Sequence, residues 1–225
     1  MTEKTLKTAY YTAENIDEQA SIFLKKLDFF RQKHSDQIIS PNDVALLVVD
    51  MQGFFYNSNY HAFVPSMAAI IPKIKALQDL CFAHNMPVIH TRHSNTEADS
   101  RQMLSWWGRM TEADSDLVQI IPELRHPRAK IIEKTQYDAF LDTELEGYLR
   151  EKNIKQVIIC GVMTHLCCET TARAAFTRGF GVFFAIDGTA TYDPVFQMST
   201  LRNLAHGFAL PVLIKEIINR LDSSF

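Results

Sequence analysis

Short, uninterrupted apolar runs recur along this chain, each separated from the next by enough sequence for a helix. ALLVV (45–49), PVIHTRH (87–93), AKIIEK (129–134), QVIICGV (156–162) and GVFFAID (181–187) are the clearest, and LPVLIKE (210–216) reads as a sixth, short strand. A strand that is apolar at successive positions is covered on both faces, which is the habit of parallel sheets. The intervening segments supply the crossovers. Residues 64–85 carry Ile70, Ile74, Leu77, Leu80 and Cys81 on one helical face, residues 141–153 read as a helix, and CCETTARAAFTRG closes on Gly179 as a helix-stopping glycine. A further helix opens at Asp193-Pro194 and runs through Leu204. The pattern predicts an α/β fold, a three-layer α/β/α sandwich around a mostly parallel sheet.

With 225 residues, 47% of them apolar, the chain suits one compact unit with a sizeable core. Residues 1–40 differ in pattern: Ile22, Phe23, Leu27 and Phe30 approach helical spacing, which predicts a helical N-terminal extension packed on the outside. Pro41-Asn42 marks its boundary with a single domain over 41–225. A net charge of −3 with interspersed signs gives no reason to expect nucleic acid or an anionic membrane as partner. The polar opening MTEKTLKTAYYTAENIDEQ lacks a signal-peptide core, and no apolar run reaches membrane-spanning length, so a cytoplasmic protein is expected. Cys81, Cys160, Cys167 and Cys168 form no CxxC pair and are expected as thiols in a reducing compartment. Cys81 and Cys160 fall within apolar stripes and read as core residues.

Three residues stand where strands end: Asp50 closes ALLVVD, Lys134 closes KIIEK, and Cys167 follows the fourth strand at the start of a helix. In parallel sheets the carboxyl edge gathers reactive groups. A helix start favours a thiolate and a developing oxyanion. A carboxylate there can accept the thiol proton, and an ammonium can hold the thiolate. Taken singly, Asp50 is equally a helix cap, Lys134 an ordinary surface lysine and Cys167 a small core residue. Their shared position at strand ends is what joins them.

DMQGFF after the first strand, KTQYDAF after the third and GVMTHLCCETTARAA after the fourth together resemble the isochorismatase-like hydrolase superfamily, over roughly residues 42–218. The resemblance implies Asp50 as the acid/base carboxylate, Lys134 as its lysine and Cys167 as nucleophile, with Thr164 in the same motif. It also implies a non-proline cis peptide between Val162 and Met163, which turns the Met163 and Cys167 N–H groups into one oxyanion hole. Gln52 and Phe55 match pocket-lining positions. No cofactor is implied, and a dimer or tetramer is.

Nicotinamidases in that superfamily carry a metal site of Asp and two His after strand two. HTRHSNTEADS here lacks the Asp-x-His arrangement, and His90 and His93 fall on opposite faces of a strand, so neither a metal nor nicotinamide is expected. Isochorismatases share the N-terminal extension, a Trp-Gly step (Trp107-Gly108) and a histidine at His165, but have glycine where Cys167 stands. Trp107 and Tyr137 are candidate substrate contacts, Trp106 a lesser one. Arg92 or Arg109 is a candidate carboxylate partner, and His165 a hydrogen-bond support. The leading expectation is cysteine-dependent hydrolysis of a small amide through an acyl-enzyme. The alternatives are vinyl-ether hydrolysis with Asp50 as general acid, and a non-catalytic binding protein on the same fold.

Overall fold

A computed structural model describes residues 7–222. Among them, six strands form one sheet: β1 (Val44–Val49), β2 (Val88–His93), β3 (Lys130–Lys134), β4 (Gln156–Val162), β5 (Gly181–Ala190) and β6 (Leu210–Val212). The order is β3-β2-β1-β4-β5-β6 and every pairing is parallel. Every residue of β1 is buried, as its continuous apolar run requires.

Helices α1 (Ile16–Lys25) and α2 (Asp28–Gln32) precede the sheet, α3 (Gly53–Tyr56), α4 (Met67–Ala83), α5 (Gln102–Trp107), α6 (Leu145–Glu151), α7 (Glu169–Thr177) and α8 (Pro194–Gly207) lie between its strands, and α9 (Ile214–Asp222) follows it. They cover both sides of the sheet. α4 lies against β1, β2, β4 and β5 with α9 beside it, while α7 packs on β5 and α8 on β6. Local chemistry sets several of these boundaries. Asp193 caps α8, its Oδ1 accepting from the N–H groups of Val195 (2.7 Å) and Phe196 (2.8 Å), with Pro194 in the first turn. α7 stops before Gly179, which takes a φ of +83°.

Several expectations are revised. The sixth strand is only Leu210–Val212, and the chain beyond it turns directly into α9. The side chain of Glu216 takes the N–H of Leu213 and that of Asp187 takes the N–H of Ile214, each at 2.8 Å, which starts a helix. The helix expected over 141–153 is shorter, α6, and the two tryptophans lie in α5 rather than in a loop. The N-terminal segment does not rest on the outside: Tyr11 and Leu27 are buried in the same apolar core as the sheet. Residues 1–6 of the expected extension lie outside the described residues.

The sheet order reverses direction between β1 and β4. The segments leaving the carboxyl ends of those two strands therefore part and leave a crevice above them, the usual place for a ligand in an open parallel sheet. β1 and β4 approach very closely there. A Cβ on Gly161 (φ +114°) would fall 2.0 Å from the Val49 carbonyl oxygen, so only glycine fits.

Candidate active site

Asp50 leaves β1 in the left-handed region (φ +51°), which aspartate tolerates better than most residues. Its backbone N–H donates to Thr91 Oγ1 (3.1 Å), and the Thr91 hydroxyl donates to Asp50 Oδ1 (2.6 Å). One carboxylate oxygen is thereby fixed from β2. The other, Oδ2, lies 2.8 Å from Lys134 Nζ in an ion pair whose side chains are fully buried. No donor is aligned on Oδ2, so it keeps a lone pair for a further proton.

Lys134 ends β3, two strands away, and its four-carbon stem crosses β2 to reach Asp50. The ammonium also donates to the Gln136 carbonyl (2.9 Å) and to Cys167 Sγ (3.4 Å), and lies 3.5 Å from His93 Nδ1. Burial alone would lower the Lys134 pKa. The Asp50 carboxylate and the Cys167 sulfur outweigh it and hold the amine charged. His93 sits at the end of β2, and burial, followed by the charge of Lys134, pushes its pKa down to about 4. The ring is neutral.

Cys167 stands in a wide helical turn, Thr164–Cys168, between β4 and α7, and the Val162–Met163 peptide before that turn is cis. The thiol pKa is pushed up to about 12, first by burial, with Asp50 adding to the rise and Lys134 opposing it. At rest the sulfur is therefore a thiol, beside the Lys134 ammonium. The turn is anchored from behind. Gln197 Oε1 accepts from Thr164 Oγ1 (2.6 Å) and from the Tyr10 hydroxyl (2.9 Å), and Tyr10 Oη accepts the Thr191 N–H (3.1 Å). His165 lies 2.5 Å from Thr191 Oγ1 through Nδ1 and stacks on Phe196, in a supporting position.

Cys167 forms the floor of a cavity with mostly apolar walls. Phe54 and Phe55 come from α3, Met103 and Trp107 from α5, Met163 and Leu166 from the cysteine turn, and Tyr137 and Tyr192 from the loops after β3 and β5. The Trp107 indole N–H donates to Tyr137 Oη (2.7 Å), which fixes one ring by the other. The polar lining is His61, His93, Asn95, Arg109 and Thr111.

The expected residues divide clearly. Asp50, Lys134 and Cys167 come together; Phe55, Trp107, Tyr137 and Met163 line the cavity. Gln52 does not line it. It is fully buried, donating to the carbonyls of His93 (2.9 Å) and Val118 (2.7 Å) and accepting the His93 N–H (2.9 Å). Its amide thus staples β1 to the end of β2, and no part is left for substrate. Trp106 is 79% exposed and outside the cavity, and Arg92 turns away to Glu133 and Gln119. His90 faces α4, its Nε2 2.7 Å from Gln78 Oε1, whereas His93 faces the site. Among the described residues no three His, Cys, Asp or Glu converge as a metal would need. Tyr192 carries no signal in the sequence that marks it as a cavity residue, and His61 only its place in the aromatic stretch 54–63, which reads as a lid or a subunit contact. For Tyr192 the reason is that β5 runs three residues beyond its expected end, which carries the strand's carboxyl edge to the site.

The sequence profile of the isochorismatase domain matches residues 44–216. The chain belongs to the isochorismatase family. It is 39% identical over 186 residues to Nicotinamidase 3 of Arabidopsis thaliana, covering 79% of this chain and 89% of that one. It is 31% identical over 191 residues to Enterobactin synthase component B of Escherichia coli, covering 83% of this chain and 66% of that protein. Among solved structures, a cysteine hydrolase from Pseudomonas syringae pv. phaseolicola superposes with a TM-score of 0.80 at 27% identity, covering 84% of this chain and 97% of that one. This isochorismatase-family protein is accordingly a hydrolase. No helix among the described residues is long and apolar enough to cross a membrane.

Proposed function

We propose that this protein hydrolyses a C–N bond in a small amide through a covalent intermediate on Cys167. The observation that carries the reading is the convergence of Asp50, Lys134 and Cys167 beneath a single cavity. Asp50 Oδ2 takes the thiol proton as the sulfur attacks the carbonyl carbon. A C–S bond forms, and the carbonyl π electrons move onto oxygen, where the N–H groups of Met163 and Cys167 receive the charge. When the oxyanion collapses the C–N bond breaks, and Asp50 returns the proton to the leaving nitrogen. Water then attacks the thioester. Asp50 takes its proton, the C–S bond breaks, and the sulfur is reprotonated.

Lys134 lowers the energy of the thiolate as it forms, which matters for a thiol whose burial holds it protonated. Phe55, Trp107 and Tyr137 accept the apolar body of the substrate. The names of the Arabidopsis nicotinamidase and the Pseudomonas cysteine hydrolase support amide cleavage by a thiol.

The test is a panel of primary amides assayed with wild type, Cys167→Ala and Cys167→Gly, with mass spectrometry for an acyl adduct on Cys167. Loss of turnover by at least about a thousandfold in both variants is expected, since removing a nucleophile that acts with a base as one unit eliminates most of the catalysis. Full activity in Cys167→Gly would instead favour vinyl-ether hydrolysis driven by Asp50 alone.

A further inference from the structure

The active-site cavity has an uncompensated positive mouth. No aspartate or glutamate is among the residues lining it. Arg109 lines it near the rim and is exposed, and among the described residues no carboxylate pairs with it. Lys7 stands behind, its Nζ donating to the carbonyls of His61 and Phe63 and lying 4.2 Å from the centre of the Tyr192 ring. His61 and Tyr192 both line the cavity, so the ammonium is held at its edge with only neutral acceptors. Burial lowers the His61 pKa first, and the charges of Arg109 and Lys7 lower it further, which places the three groups within electrostatic range of one another.

An outer groove continues from this mouth. It includes Tyr60, Leu104 and Glu112, and meets the catalytic cavity at His61, Arg109 and Met110. A ligand reaching from Cys167 past Trp107 therefore meets Arg109 at the junction. Glu112, the only acid on the outer groove among the described residues, makes no ion pair with Arg109. Among the described residues no carboxylate is paired with either Arg109 or Lys7, and a ligand anion would meet both charges. Arg92, the other candidate from sequence, is already occupied by Glu133 and Gln119.

We infer that the substrate is an elongated amide with a carboxylate at the end remote from the scissile carbonyl, and that Arg109, supported by Lys7, binds that carboxylate at the cavity mouth. The inference rests on the cysteine-hydrolase reading for which end reacts. A single guanidinium fork matches one carboxylate in two-point contact.

The experiment uses three primary amides on one scaffold: a butanamide bearing a para-carboxyphenyl group, its para-methyl counterpart and its para-aminomethyl counterpart. A charge-assisted contact is worth about 1.5–3 kcal/mol, so kcat/KM for the carboxylate should exceed that for the methyl compound by about ten- to a hundredfold. The aminomethyl compound should be the poorest. Arg109→Met should collapse the carboxylate-to-methyl ratio to within about threefold of unity, and Lys7→Met should reduce it several-fold. Lys152→Met, an equal loss of charge on the remote end of α6, should leave the ratio unchanged. A binding arm separates this inference from the catalytic reading. Calorimetry on Cys167→Ala with the three amides should give the same order of affinity, lost in Cys167→Ala/Arg109→Met. If wild type hydrolyses the amides without preferring the carboxylate, or binding ignores charge, the anion site is refuted while the thiol chemistry stands. If none is hydrolysed but binding follows Arg109, the anion site stands and the reaction assignment falls.

Discussion

Replacing Lys134 by methionine removes the only cation paired with Asp50 among the described residues, while leaving the carboxylate buried against Thr91. Both side chains of the pair are fully shielded, so solvent cannot take over the lost interaction. Removing one partner of such a pair destabilises by about 3–5 kcal/mol. In a chain of this size that corresponds to a fall in Tm of about 6–20 °C. Asp50→Asn in the same background deletes the stranded charge, so the double variant should be more stable than the two single losses predict, with a coupling of at least about 2 kcal/mol. Urea and thermal unfolding followed by far-ultraviolet circular dichroism at neutral pH read this directly. The thiol supplies a second readout, by thiolate absorbance against Cys167→Ala. Asp50 raises the Cys167 pKa and Lys134 lowers it, so Asp50→Asn should bring it below about 12 and Lys134→Met should not. Losses that add to within about 0.5 kcal/mol, or a thiol titration unmoved by Asp50→Asn, would refute the three-group arrangement.

Acid sensitivity should arise partly from two buried histidines. His90 and His93 have pKa values pushed down to about 4, the first by burial and the second by burial and Lys134. Unfolded histidine binds a proton from about pH 6.5 downward, whereas these do so only near 4, so stability falls as pH drops across that window and levels below it. His90→Gln, away from the catalytic cavity, should reduce the slope of unfolding free energy between those limits by up to about 1.4 kcal/mol per pH unit; an unchanged slope would contradict the neutral ring. Gly161→Ala should cost more than about 3 kcal/mol, because its Cβ meets the Val49 carbonyl at 2.0 Å in a backbone conformation reserved for glycine. A wild-type melting curve for that variant would be incompatible with the β1–β4 contact.

The sheet was legible because strands buried on two faces write themselves as unbroken apolar runs. Residues 214–221 were harder. Ile214, Ile217 and Leu221 have helical spacing, but the preceding LPV merges with them, and the switch from strand to helix rests on Asp187 and Glu216 capturing two N–H groups. At the site, position along strands located Asp50, Lys134 and Cys167. Side-chain direction was not legible. Gln52 looks like a pocket residue from its motif, yet its amide is consumed by the backbones of His93 and Val118. Arg92 and Arg109 were indistinguishable until the strand alternation of β2 and the end of α5 turned one outward and the other to the cavity.

The hydroxyls of Tyr10 and Thr164 share a single amide oxygen on Gln197; one stands near the amino terminus, the other three residues before Cys167. Anyone who trims or tags the front of this chain as though it were packaging is handling a brace of the cysteine turn. A shortened protein that still folds would report a slackened cysteine turn first as slower chemistry, before any loss of solubility.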